Sequence, residues 1–80
     1  MTISIKYFGL LADITNKKEE QLDFEESTIT IDFLKSRIET VYDDLQKRSY
    51  SVAVNQVLAV QGVVLQDQDV IAFLPPFAGG

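Results

Sequence analysis

The chain contains no cysteine and no histidine. No disulfide framework can form, and a thiol nucleophile, an imidazole base and the usual zinc ligands are all missing. Ser36, Ser49 and Ser51 therefore have no histidine to activate them. Asp43 with Asp44, and Asp67 with Asp69, fall short of a calcium loop, which needs more ligands at set spacing and usually a glycine for its turn. They read as solvated surface residues, and no glycine-rich phosphate loop is present. The longest nearly apolar run, Val57 to Leu65, is interrupted by Gln61 and is far too short to cross a bilayer. Positive charge is also scarce, with 7 Lys and Arg against 12 Asp and Glu, a net charge of −5 and a pI near 4.4. Such a surface repels phosphate backbones and anionic lipid, so nucleic acid and membrane are poor partners, neither is expected, and a basic protein partner fits more easily. The short pairs Lys17-Lys18 and Lys47-Arg48 are ordinary surface charge on this background. Met1 leads directly into a strand pattern, so no signal peptide is expected and the cytoplasm is the expected location.

What is present suits one small domain. The 80 residues are 46% hydrophobic, enough for one modest core and no second domain or deep cleft. Thr2–Phe8 alternates, with Ile3, Ile5 and Tyr7 on one face and Ser4, Lys6 and Phe8 on the other, the period of a half-buried strand. Gly9 to Thr15 predicts a loop or a short helical turn, and Asn16-Lys17-Lys18 a turn into a second strand, Glu20–Phe24, with Leu22 and Phe24 inward. Ile31, Leu34, Ile38, Val41 and Leu45 then recur at steps of three and four, the stripe of one helix. Thr30 is its expected N-cap, Asp32 suits its positive end, and Lys47 and Arg48 suit its negative end.

Strand patterns return after Tyr50. Val52-Ala53-Val54, the turn Asn55-Gln56 and Val57–Val60 predict a tight hairpin that Gly62 terminates. Leu65-Gln66-Asp67-Gln68-Asp69 predicts a polar turn, and Val70–Leu74 a last strand. The order strand, strand, helix, strand, strand, strand requires one helix over one face of a mixed sheet of five strands, an α+β roll. With the first and last strands adjacent at its centre this is the ubiquitin-like β-grasp arrangement, and their parallel pairing is expected from that fold. By parity, Ile71 and Phe73 face the core while Phe8, Ala72 and Leu74 face outward. Phe8 and Leu74 are then expected side by side where the chain leaves the sheet, with Phe77 close by.

The domain is thus expected over residues 1–74, and residues 75–80 form an extended tail. That tail, Pro75-Pro76-Phe77-Ala78-Gly79-Gly80, holds both prolines and two of the four glycines. Consecutive prolines stop the strand ladder and stiffen the chain as it departs. Ala78, Gly79 and Gly80 then taper to almost no side chain, which lets a partner grip the backbone closely in a narrow channel. The carboxylate of Gly80 is the candidate reactive group, and Phe8, Leu74, Pro75, Pro76, Phe77, Ala78 and Gly79 are the candidate partner contacts.

The stretches Val52-Ala53-Val54-Asn55-Gln56, Leu65-Gln66-Asp67-Gln68-Asp69-Val70 and Ala72-Phe73-Leu74-Pro75-Pro76-Phe77-Ala78-Gly79-Gly80 resemble the small subunit of molybdopterin synthase, over essentially the whole chain. The opening Ile5-Lys6-Tyr7-Phe8-Gly9 and the helix start Thr30-Ile31 fit less specifically. Two positions depart from the pattern: Gln68 stands where the family commonly has glycine, and Phe77 where it commonly has valine. The resemblance implies a sulfur carrier without a permanently bound cofactor. An adenylyltransferase similar to ubiquitin-activating enzymes uses ATP to adenylate the terminal glycine, here Gly80, and sulfur displaces AMP to leave a thiocarboxylate. The tail then enters the large subunit of the heterotetrameric synthase, where the sulfur passes to cyclic pyranopterin monophosphate during molybdenum cofactor biosynthesis. On this reading the chain is the sulfur-donating part of a sulfurtransferase, and the catalytic acids and bases belong to its partners. The sulfur carrier of thiamine biosynthesis, or a ubiquitin-like modifier or interaction module, are the alternative readings of the same pattern.

Overall fold

The computed structural model describes residues 1–76. A five-stranded sheet is assembled from β1 (Thr2–Tyr7), β2 (Glu19–Asp23), β4 (Ser51–Val54), β5 (Val57–Leu58) and β7 (Val70–Leu74), in the order β2-β1-β7-β4-β5. β1 and β7 run parallel at the centre, with Ile5 opposite Ile71 and Tyr7 opposite Phe73, while the other pairings are antiparallel. This is the mixed β-grasp sheet that the order of elements predicts. Its inner face carries Ile3, Ile5, Tyr7, Val52, Ile71 and Phe73, all buried. The helix α2 (Ile31–Val41) covers that face with Ile31, Leu34 and Ile38, also buried. A short helix α1 (Leu10–Thr15) adds Leu11 beside the end of β1. Fully burying an aliphatic or aromatic side chain of this kind stabilises by roughly 1.5–3 kcal/mol.

Local chemistry explains where the elements start and stop. Thr30 caps α2 as expected, its hydroxyl oxygen accepting the Phe33 N–H at 3.1 Å. Asn16 ends α1 in the left-handed conformation that asparagine tolerates. Asn55 and Gln56 both have positive φ, at 50° and 74°, the geometry of the tight turn that matches strand twist. The Asn55 side chain also fastens this hairpin to β7, accepting the Val70 N–H at 2.9 Å and donating to Asp69 at 3.0 Å.

The helix departs from its expected length. It ends at Val41, and a 3-10 turn, Asp43–Lys47, follows. The chain turns at Tyr42, whose ring stands edge-on to Tyr7 at 6.1 Å and whose hydroxyl donates to Glu20 at 3.1 Å. Val41 is consequently 63% exposed and leaves the core stripe, whereas Leu45 enters the core from the 3-10 turn rather than from the helix. Lys47 therefore lies in the last turn of the 3-10 segment, and no cation lies in the last turn of α2.

A second sheet, of β3 (Ile29–Thr30) and β6 (Val64–Leu65), closes one end of the core. Leu65, expected in a polar turn, is a fully buried strand residue, and the turn begins after it. In that turn the Asp69 carboxylate accepts the Gln66 N–H at 2.8 Å, and Asp67 accepts the Thr2 N–H at 2.7 Å. The Thr2 bond holds the exposed Asp67 carboxyl below its ordinary range, against an opposing contribution from burial. These aspartates are turn and strand anchors. Among the described residues no group of three His, Cys, Asp or Glu is placed to hold a metal ion, and no helix is long and apolar enough to cross a membrane.

Candidate functional site

The tail departs from one end of the central strand pair. Because β1 and β7 are parallel, their C-terminal ends reach the same edge. The pairing Lys6–Ala72 and Tyr7–Phe73 continues to place Phe8 beside Leu74, and the Phe8 N–H donates to the Phe73 carbonyl at 3.1 Å. On the other side of β7, Leu74 pairs with Ser51. Parity turns Phe8 and Leu74 away from the helix. Phe8 is 46% exposed, Leu74 and Pro75 are half-buried, and Pro76 is exposed. The expected juxtaposition of Phe8 and Leu74 is therefore present. Phe77, Ala78, Gly79 and Gly80 lie outside the described residues.

The structure adds two residues. Gly9 follows Phe8 with φ of +56°, and a Cβ built on it would stand 3.1 Å from the Pro75 ring. The absence of a side chain lets the first tail proline seat directly on the backbone after β1. Leu58 is the second. It pairs with Ala53, which pairs with Ala72, so all three share the outer face with Phe8 and Leu74. Leu58 is 59% exposed. The two-residue turn Asn55-Gln56 already fixes Ala53 opposite Leu58, so the parity that exposes Phe8 could have located Leu58 as well.

Beneath this apolar band the core is stiffened by aromatic contacts. Phe73 meets Tyr7 edge-on at 5.6 Å and stacks on Tyr50 at 5.2 Å. The Tyr7 hydroxyl donates to Glu20 at 2.6 Å, and Lys17 bonds the other carboxylate oxygen at 3.1 Å. Burial works against the Glu20 carboxylate, yet the bonds from Tyr7, Lys17 and Tyr42 together hold its carboxyl below the ordinary value. Burial, with the neighbouring Glu20, pushes the Tyr7 phenol well above its usual range, and burial with Glu39 does the same for Tyr50. These groups are fixed in one charge state near neutrality and serve structure. What the described residues offer is an apolar platform, packed on an aromatic core, at the root of the tail.

The ThiS family model matches residues 5–80. This chain belongs to the ThiS family. The matched span includes the whole platform and the Gly-Gly tail. Solved structures agree on the fold. A Pyrococcus furiosus protein provisionally described as molybdopterin converting factor, subunit 1, superposes with a TM-score of 0.87 at 20% identity, over 96% of this chain and 99% of that one. The small archaeal modifier protein 1 of Haloferax volcanii, SAMP1, gives a TM-score of 0.82 at 19% identity, with 100% of both chains covered. A chain from the complex of subunits 1 and 2 of the Helicobacter pylori molybdopterin-converting factor gives 0.70 at 24% identity, again over 100% of both. The fold is thus shared by proteins of different names.

Proposed function

We propose that this ThiS-family chain is the sulfur carrier of a molybdopterin synthase, with the carboxylate of Gly80 as the group that receives and delivers sulfur. The observation that supports the reading best is the placement of the Pro75-Pro76 step. It leaves the sheet beside the exposed Phe8 and is followed in sequence by the taper to Gly79-Gly80.

The chemistry assigns each part a role. A carboxylate is a poor electrophile, so an adenylyltransferase first joins Gly80 to AMP from ATP, releasing pyrophosphate. A sulfur nucleophile then displaces AMP and leaves the thiocarboxylate. The large synthase subunit docks on Phe8, Leu58, Leu74 and the prolines, admits Phe77 to Gly80, and supplies the residues that pass sulfur to cyclic pyranopterin monophosphate. The carrier supplies an activated end group and a surface that presents it. Partner recognition therefore depends on the outer face of the sheet, and the reaction depends on the last glycine.

Intact mass of the chain from its native host tests this. A thiocarboxylate makes the chain heavier by the difference between one sulfur and one oxygen, and the molybdopterin synthase large subunit should co-purify. A thiazole synthase in its place would assign the chain to thiamine biosynthesis, and covalent adducts to target lysines would make it a modifier.

A further inference from the structure

On the outer face of the sheet the four strands from β1 to β5 carry little charge. Across β1, β7, β4 and β5 the outward residues are Thr2, Ser4, Lys6, Val70, Ala72, Leu74, Ser51, Ala53 and Leu58, with Lys6 the one ionised side chain among them, and the edge strand β2 adds Glu19, Gln21 and Asp23 to the same face. Lys6 stands next to Ala72 on the central strand pair, between the Phe8–Leu74 end and the Val70–Asn55 end. It lines two neighbouring grooves. One, of about 500 Å³, also includes Phe8, Gly9, Lys18 and Glu19, and the other, of about 280 Å³, includes Asn55, Gln56 and Val70.

Glu19 faces Lys6 across the β1–β2 pair, yet among the described residues the ion pair within 4.0 Å is Lys17–Glu20, and neither Lys6 nor Lys18 makes one. A partner covering Phe8, Ala72 and Leu58 would withdraw water from the Lys6 ammonium. An ammonium desolvated without a counter-charge opposes binding, whereas one met by a carboxylate fixes register and partner choice.

We infer that Lys6 is a specificity-determining residue of this surface, and that the partner receiving the tail presents a carboxylate against it, in the groove shared by Phe8, Lys6 and Lys18. The inference rests on the proposed docking of the large synthase subunit. It adds the chemistry of the contact: an apolar partner surface with an acidic group at its centre, despite the acidity of the carrier as a whole.

The test measures binding of the host's molybdopterin synthase large subunit to the full chain, to Lys6→Met and to Lys6→Glu, across a range of salt concentrations. Lys6 is exposed, so circular dichroism and melting temperature should match in all three. With a facing carboxylate, Lys6→Met leaves that group unpaired and weakens binding by at least ~10-fold, Lys6→Glu weakens it further, and the salt sensitivity of the unaltered chain is reduced in Lys6→Met. If the unaltered chain binds and Lys6→Met binds equally well or more tightly, no carboxylate faces Lys6 and the inference falls while the functional reading stands. If the unaltered chain does not bind the large subunit at all, the functional reading falls and takes the inference with it.

Discussion

Phe8 and Gln68 show how much a single position carries. Phe8 is 46% exposed on the face away from the helix, so its ring contributes little to the core. Truncating a buried phenylalanine costs roughly 3–5 kcal/mol. Phe8→Ala should instead melt close to the unaltered chain and bind the large subunit at least ~10-fold more weakly, about 1.4 kcal/mol. Leu58→Ala should behave in the same way, because it shares that face. A large fall in melting temperature with unchanged affinity would mean that the ring belongs to the core. Gln68 departs from the glycine common in the resembled family, and its φ is +71°. A side chain in that region is strained, so Gln68→Gly should stabilise the fold by about 0.5–1 kcal/mol, measured by urea denaturation. The turn's main bond, Gln68 N–H to the Thr2 carbonyl at 2.8 Å, does not involve the side chain and would survive.

Among the elements, the five sheet strands, their parity and the N-cap at Thr30 are legible in the sequence because period and turn chemistry are local properties. The Ile3-Ile5-Tyr7 alternation and the Asn55-Gln56 turn each point to one answer. The end of α2 is not legible. Ile31, Leu34, Ile38, Val41 and Leu45 continue one helical stripe, but Tyr42 is held by Tyr7 and Glu20, which are distant in sequence. A contact of that kind leaves no periodic trace. The same reason hides β3 and β6, whose two-residue strands exist only through each other. The Gly9–Pro75 approach likewise joins opposite ends of the chain. Substitution checks where the helix ends. Leu45→Ala should cost about 2–5 kcal/mol and Val41→Ala less than about 0.5 kcal/mol by denaturant melting. Equal costs would restore the continuous stripe.

At the scale of the whole molecule, pH and the tail separate folding from function. The Glu20 carboxyl is held below its ordinary 4.5, so it adds stability above that value and loses it as pH falls through the lower folded value. Tyr7 and Tyr50 are raised above 10.0, so their contribution is complete below that pH and is lost as pH rises beyond it. Stability should be flat between mild acid and about pH 10 in these terms, and Glu20→Gln should flatten the acid limb in a pH series of melting temperatures. An unchanged acid limb would mean that Glu20 is not the group responsible. The tail should respond to none of this. Among the described residues the buried hydrophobic ones run from Ile3 to Phe73. If the carboxylate of Gly80 is what the adenylyltransferase activates, moving it by one residue removes the acceptor and leaves the core untouched. Deleting Gly80, or adding one residue after it that cannot be cleaved, should preserve circular dichroism and melting temperature while abolishing AMP release and sulfur transfer in a reconstituted assay. Sulfur transfer by the extended chain at the normal rate would show that another atom carries the sulfur, and the carrier reading would fail even though the fold stands.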